Sequence, residues 1–375
     1  MTRHPRILVS GYYGFGNAGD EAILAGLVQG VRGLAPDAEL TVLSGNPEAT
    51  AAEHDVAGVP RGFRSAFAHM SESDLLISGG GGLLQDATSW RSPLYYLGII
   101  QLALTAGVPV ACIGHSIGPL RRPWARSLTR YTLSKVALLS VRDGLSQAAL
   151  RALGVTREVY TAADPAFILS PPSQADTAAA WERAQLATDP RPSLTLALRR
   201  PPGTPSDAIA SALAEAIGPP CQQLGLRPLL IPMQFPADVE FAHTVAARLP
   251  LPAEIVRPRL TAREVLALIG GCDLVVAMRL HALIFGAICR RPLVAISYDP
   301  KVVGLMGELG LPIATSTDHL DPQELSRSIV NAWQDRERSS AALAARVNPL
   351  AEAARQTIAL ALALLHNRTP EVRNA

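Results

Sequence analysis

Short apolar runs alternate with helix-length segments along almost all of this 375-residue chain, and this alternation limits the possible folds more than any other feature. The runs are nearly continuous in Val, Ile, Leu and Ala, as strands are when both faces of their sheet are covered. Helices between such strands connect them in parallel. The sequence therefore predicts an α/β protein built from doubly wound parallel sheets.

The alternation occurs twice, with a Pro- and Ser-rich stretch between the two parts. Expected strands cover residues 6–10, 40–44, 74–78, 109–114 and 138–141 in the first part, and 194–198, 228–232, 274–277 and 293–297 in the second. We predict an N-terminal Rossmann-like domain over residues 1–175, a C-terminal one over 176–338, and a helix within 339–375 that packs across both. Two such domains facing across a cleft resemble the GT-B architecture.

Composition excludes several classes of protein. With 48% hydrophobic residues and a net charge of +2, the chain is an ordinary globular protein with no sign of nucleic-acid binding. No apolar run is long enough to cross a bilayer, and no signal peptide is recognisable near the N-terminus. We therefore expect a cytoplasmic protein.

The loop after the first strand contains Gly14, Gly16 and Gly19 in the spacing of a dinucleotide-binding fingerprint. Asp20 and the acidic residue after it stand where a pyrophosphate would need positive potential, so the fingerprint argues poorly for a nucleotide. A neutral polyol suits the loop better, because Asn17 and Asp20 can hydrogen-bond hydroxyls and Gly19 allows close approach. The alternative is that Asp20 only caps the helix.

A second glycine-rich loop covers residues 79–86. Gly81 and Gln85 are candidate contacts for a sugar, although a tight strand-to-helix turn explains the glycines nearly as well.

A third loop, Gly114-His-Ser-Ile-Gly, matches the nucleophile elbow of α/β-hydrolases, with Ser116 as the nucleophile. Pro119 and Pro123 interrupt the segment where the elbow requires a helix, so this reading is the less favoured one. In the alternative, His115 and Ser116 form a hydrogen-bonded turn.

Four further residues follow strands and suit an anionic ligand. Arg142, Arg279 and His281 come directly after expected strands, and Lys301 begins the helix after another. Lys301 is one of only two lysines in the chain, against 32 arginines, which favours a role for its compact ammonium group. Three cations and an imidazole at the ends of strands predict a site for an anionic substrate.

Taken in order, these segments resemble the polysaccharide pyruvyl transferases, specifically the bacterial type that adds a pyruvate ketal to cell-wall polysaccharide and so prepares it to hold S-layer proteins. The resemblance is carried by residues 11–24, 79–86, 114–119, 140–143, 278–281 and 297–301. It implies transfer of pyruvate from phosphoenolpyruvate to O4 and O6 of a hexose such as ManNAc in a lipid-linked precursor.

The resemblance also implies roles for individual residues. His281 would be the general acid, and Arg142, Arg279 and Lys301 would bind phosphoenolpyruvate. Asn17, Gly19, Asp20, Gly81 and Gln85 would face the acceptor. Phosphoenolpyruvate is a co-substrate, and we expect no metal and no cofactor.

Two other functions remain open from the sequence: a GT-B glycosyltransferase that uses a nucleotide sugar, and a non-catalytic sugar-binding module. A basic segment over residues 121–130 is either a membrane contact or an ordinary solvated face.

Overall fold

The computed structural model describes residues 4–86, 89–187, 189–201, 203 and 205–366. Its residues form two compact units. Among the described residues, those in the ranges 4–15, 23–169 and 350–366 make up unit 1, and those in the ranges 16–22 and 170–349 make up unit 2. The boundary between Leu169 and Ser170 lies a few residues before the expected position. The short segment Gly16–Ala22, expected in the N-terminal domain, groups with unit 2.

Unit 1 contains a parallel sheet in the order β3-β2-β1-β4-β6-β7-β8, with β5 paired to β6. Its elements are β1 (Arg6–Tyr13), α1 (Ala18–Leu34, whose first turn belongs to unit 2), β2 (Glu39–Ser44), α2 (Pro47–His54), β3 (Ala57–Pro60), α3 (Phe63–Met70), β4 (Leu75–Ser78), β5 (Gly81–Leu84), α4 (Arg91–Thr105), β6 (Val110–Ile117), α5 (Pro123–Leu133), β7 (Leu138–Val141), α6 (Gly144–Ala152) and β8 (Tyr160–Thr161). A 3-10 turn over Pro165–Ile168 follows.

Unit 2 contains a six-stranded parallel sheet in the order β11-β10-β9-β12-β13-β14. Its elements are α7 (Gln174–Arg183), β9 (Ser193–Ala197), α8 (Ser206–Leu224), β10 (Arg227–Leu230), α9 (Ala237–Ala246), β11 (Glu254–Ile255), α10 (Ala262–Gly270), β12 (Leu274–Ala277), α11 (Leu280–Ile288), β13 (Leu293–Ser297), α12 (Pro300–Leu309), β14 (Ile313–Ser316), α13 (Pro322–Gln334) and α14 (Arg336–His366, which from residue 350 belongs to unit 1).

The predicted α/β class with two parallel sheets is confirmed. The buried strands are apolar throughout, and their side chains form the core with the inner faces of the helices: Leu196 and Val276 pack with Leu213 of α8 in unit 2. In unit 1, Leu76 and Val110 pack with Leu97 of α4. Among the described residues, no helix combines the length and apolar character needed to cross a bilayer.

In unit 2 the strand order reverses between β9 and β12, which are neighbours in the sheet although other strands separate them in sequence. Helices that leave such a pair diverge, so a crevice opens beyond the carboxyl ends of the two strands. Ligands of doubly wound sheets bind at this point, and the predicted residues Arg279 and His281 lie where the chain passes from β12 into α11.

Candidate active site

Just after β12, Arg279 is fixed by an ion pair with Asp238 of α9, whose carboxylate is buried while the guanidinium is partly exposed. Its Nε donates a 2.9 Å hydrogen bond to one carboxylate oxygen, and its Nη2 donates to the other. Asp238 also accepts from the backbone amides of Met233, at 3.2 Å, and Gln234, at 3.0 Å. The carboxylate therefore holds the loop after β10 in place and also fixes the orientation of the Arg279 guanidinium.

Tyr298, directly after β13, lies among three cationic side chains. The guanidinium carbon of Arg199 stands 4.7 Å from the centre of its ring, and the Lys301 ammonium stands 5.4 Å from it. Burial by itself would raise the pKa of the Tyr298 hydroxyl. The positive charges of Lys301, Arg199 and Arg279, together with a hydrogen bond from Arg199, outweigh burial, so this pKa lies below its usual value.

The three cations differ in how far a carboxylate already neutralises them. Arg279 has its bidentate partner, and the Lys301 ammonium lies 3.4 Å from a carboxylate oxygen of Asp299. For Arg199, the described residues supply no carboxylate within ion-pairing distance, and its buried Nε has no hydrogen-bond partner among them. Arg199 is thus the cation whose charge is best available to an anionic ligand.

His281, in the first turn of α11, lies against Gly19 in the segment of α1 that belongs to unit 2. A Cβ on residue 19 would stand 2.2 Å from the imidazole Nδ1 and 2.6 Å from Cγ. Any side chain larger than hydrogen at this position would displace the ring. Gly19 is therefore required for the position of His281, a reason that the spacing of the glycines does not reveal.

Backbone pairing holds the same segment in place. Asn17 forms an antiparallel bridge with Gln234, and the Ala18 amide donates to the Met233 carbonyl at 2.8 Å. The Asn17 side chain accepts from the Gly19 amide at 3.0 Å, so Asn17 rather than Asp20 caps α1. Asp20 follows Gly19 in the first turn of α1 and is partly buried.

These contacts also explain why the glycine fingerprint is not a nucleotide site. The amides of Ala18 and Gly19, which would bind a pyrophosphate, are already used. Gly16 has a φ of +70°, and a Cβ there would come within 2.9 Å of the Phe235 carbonyl oxygen. The glycines serve backbone conformation and close packing.

Arg142, predicted to bind the donor, lies in unit 1 and is buried at the end of β7. Its Nη1 donates to Asp164 at 2.8 Å, and its Nε stands 3.8 Å from Asp143. Burial and the nearby charge of Arg142 lower the pKa of His115 to about 4, although the bond from the ring to the Ser78 carbonyl works in the opposite direction. Arg142 is thus embedded in a structural network, and its binding role stays a prediction.

The second glycine-rich loop forms strand β5, which the sequence did not predict. Gly79 and Gly80 are crowded: a Cβ on Gly79 would meet the Tyr13 hydroxyl at 2.0 Å. Gly81 needs its φ of +100°, and Gln85 packs on Gly118. Close packing and chain direction therefore account for most of this loop, and contact of Gly81 and Gln85 with a sugar remains a prediction.

The geometry around Ser116 contradicts the hypothesis of a hydrolase nucleophile elbow. Ser116 lies inside β6, which continues to Ile117, and the next helix begins only at Pro123. A nucleophile elbow needs its serine on a sharp turn directly before a helix. His115 points into the core rather than forming the expected turn.

The structure thus brings together Asn17, Gly19, Arg279 and His281 in unit 2, with Lys301 joined to them through Tyr298. Arg142, Gly81 and Gln85 belong to unit 1. Three further residues of the unit 2 cluster, Arg199, Tyr298 and Asp238, were given no role in the predicted site. Each directly follows a strand or opens the next helix, and that position was the available signal.

Comparisons with known proteins give a family and a fold. A family profile described as polysaccharide pyruvyl transferase matches residues 17–300. The amylovoran biosynthesis protein AmsJ of Erwinia amylovora is 24% identical over an alignment of 261 residues that covers 65% of this chain. The chain spans about three fifths (61%) of that relative's length.

Similar solved structures share the fold at low identity. HepE of Anabaena in complex with UDP-glucose has a TM-score of 0.63 at 16% identity, covering 97% of this chain and 99% of HepE. A putative UDP-N-acetylglucosamine 2-epimerase of Listeria monocytogenes has a TM-score of 0.66 at 11% identity, covering 98% of both chains. The GT-B-like fold class is therefore supported by both neighbours.

Proposed function

This chain belongs to the polysaccharide pyruvyl transferase family, and we propose that it transfers the pyruvyl group of phosphoenolpyruvate to two hydroxyls of one hexose. The product is a cyclic ketal, and phosphate is released. The observation that carries the proposal is the cluster of Arg199, Arg279 and Lys301 around Tyr298, on the sheet end that also presents His281. A donor with a carboxylate and a phosphate matches such a cluster.

The reaction needs one acid and several anion ligands. Protonated His281 gives its proton to the methylene carbon of the donor, which becomes a methyl group and leaves positive charge on the adjacent carbon. The first sugar hydroxyl attacks that carbon and returns its proton to His281. The bond to the phosphate oxygen then breaks, and the second hydroxyl closes the ring while its proton leaves with phosphate. Atoms and charge balance without a metal or a cofactor.

The cations have separate tasks in this scheme. Arg199 brings positive charge that no described carboxylate neutralises, and it stabilises the anionic donor directly. Arg279 offers a guanidinium whose direction Asp238 fixes beforehand, so that little side-chain entropy is lost on binding. Lys301 adds a compact charge 5.4 Å from the centre of the Tyr298 ring.

For the acceptor, we propose a ManNAc residue of a lipid-linked cell-wall precursor, modified at O4 and O6. Asn17 and Asp20 would contact it, since their segment adjoins His281 within unit 2. Gly19, predicted to contact the acceptor as well, is buried under the imidazole, and its amide already donates to Asn17. The name of the relative AmsJ supports a polysaccharide as the final product, although the polysaccharide in that name is amylovoran. With this acceptor, the pyruvylated cell-wall polysaccharide would serve to hold S-layer proteins.

The decisive experiment incubates the full chain with phosphoenolpyruvate and a ManNAc-containing disaccharide on a short lipid. We expect phosphate release and a product heavier by one pyruvate less one water. Thermal shift with phosphoenolpyruvate against UDP tests the donor separately: stabilisation by UDP alone would support the nucleotide-sugar alternative. If phosphoenolpyruvate stabilised the protein but no product formed, the proposed donor would be supported and the proposed acceptor would be wrong.

A further inference from the structure

Three neighbouring helices of unit 1 form one outer surface with an unusual set of side chains. α4 packs between α3 and α5: the ring of Phe63 meets Tyr95 edge-on at 5.8 Å, and Gln101 donates to Thr132 at 2.8 Å. The inner faces of the three helices are buried on the same side of the sheet. We call their outer surface the α3–α5 face.

Large apolar side chains are concentrated on this face. Among the described residues, eleven large hydrophobic side chains are exposed, and six of them lie on or beside these helices: Phe63, Phe67, Trp90, Leu94, Trp124 and Tyr131. Phe67 is 69% exposed, more than any of the others. Clustered exposed apolar side chains mark interaction sites, whereas single ones are ordinary.

The charge of the face has a single sign. Helices α3, α4 and α5 contain no aspartate or glutamate, and they carry exposed Arg64, Arg91, Arg126 and Arg130. Arg121 and Arg122 precede α5, and the nearby Asp86 is buried, with its carboxylate held by the amides of those two arginines. The face therefore presents positive charge to its surroundings.

We propose that the α3–α5 face docks on an anionic phospholipid surface. Aromatic side chains prefer the interfacial region of a bilayer, and guanidinium groups bind lipid phosphates. A second copy of this chain fits less well, because a symmetric contact would place arginines opposite arginines. The basic segment over residues 121–130 is thus one edge of a larger surface.

The test is co-sedimentation of the full chain with vesicles of phosphatidylcholine alone or with about one third phosphatidylglycerol. We expect binding to the anionic vesicles, weakening as salt is added. Two independent variants, Phe67→Ser with Arg64→Glu on α3 and Arg126→Glu with Arg130→Glu on α5, should each weaken that binding by at least about tenfold. The matched control, Leu360→Ser with Arg355→Glu on α14, changes one exposed leucine and one exposed arginine elsewhere on unit 1 and should bind as the wild type does.

A second measurement does not depend on pelleting. Trp90 and Trp124 are exposed on the face, so their fluorescence should shift to shorter wavelength on anionic vesicles and lose that shift after Trp90→Phe with Trp124→Phe. Absence of binding, equal binding to neutral vesicles, or equal losses in the face variants and the α14 control would overturn the proposal. A dimer in solution that the face variants dissociate would assign the face to a second copy instead. Pyruvyl transfer to a soluble acceptor is measured without vesicles, so failure of either proposal leaves the other testable.

Discussion

The imidazole of His281 lies so close to the Cα of Gly19 that a methyl group there would stand 2.2 Å from Nδ1. The ring and the first turn of α1 therefore form one packed element of unit 2. A substitution at Gly19 would displace the imidazole, the proposed acid, without removing it. The contact between the two residues can therefore be tested by mutation.

Gly19→Ala should lower kcat by at least about tenfold, because proton transfer depends steeply on the position of the acid. The substitution is at a helical position, so the melting temperature should change by only a few degrees. Gly33→Ala in the same helix is the control: nothing lies within 4 Å of its Cβ position, and activity should not change. Phosphate release measures both. Full activity in Gly19→Ala would show that the position of His281 is not important for the reaction.

His281→Gln should impair turnover, whereas Arg279→Ala should impair donor binding and stability. His281→Gln removes the acid and should reduce kcat by at least about a hundredfold, with donor binding retained. Arg279→Ala should weaken donor binding, and it should also destabilise the fold by about 3 kcal/mol, since buried Asp238 loses its partner. Calorimetric titration with phosphoenolpyruvate and thermal melts separate the two effects. Unimpaired turnover in His281→Gln would exclude the acid role.

Arg199→Ala should raise the KM for phosphoenolpyruvate by at least about tenfold, because the charge it removes has no described carboxylate to offset it. Arg200→Ala is the matched control, as Arg200 is the exposed next residue. Arg199→Lys should restore part of the affinity by its charge alone. If Arg199→Ala and Arg200→Ala had equal, small effects, the donor would not lie beside Tyr298.

His115 should make the protein sensitive to acid. Burial lowers the pKa of its ring to about 4 from 6.5. At a pH between these two values, the ring is protonated in the unfolded chain but not in the folded protein. The free energy of unfolding should therefore fall by about 3 kcal/mol as the pH drops from about 6.5 to about 4, and this group contributes nothing further below that. Denaturant titrations near pH 7 and about pH 4.5 measure the loss.

His115→Gln should reduce that acid-dependent loss, since glutamine can still donate to the Ser78 carbonyl and does not titrate. His243→Gln, at an exposed histidine, should leave the pH dependence as it is. An unchanged pH dependence in His115→Gln would mean that other groups cause the destabilisation.

The sequence by itself determined the two parallel sheets, because apolar strand runs and amphipathic helices are local patterns that burial imposes directly. The expected strands over 138–141, 274–277 and 293–297 match β7, β12 and β13 to the residue. The candidate residues Arg279, His281 and Lys301 follow from the rule that ligands bind beyond the carboxyl ends of strands.

Only the tertiary structure decided what those residues contact. Strand β5 has two glycines in four residues and exists because β6 supplies its hydrogen bonds. The pairing of Arg279 with Asp238, the burial of Arg142 beside Asp164 and the contact of His281 with Gly19 all join positions far apart in the chain. Such contacts depend on how whole elements pack, and no local pattern of side chains encodes them.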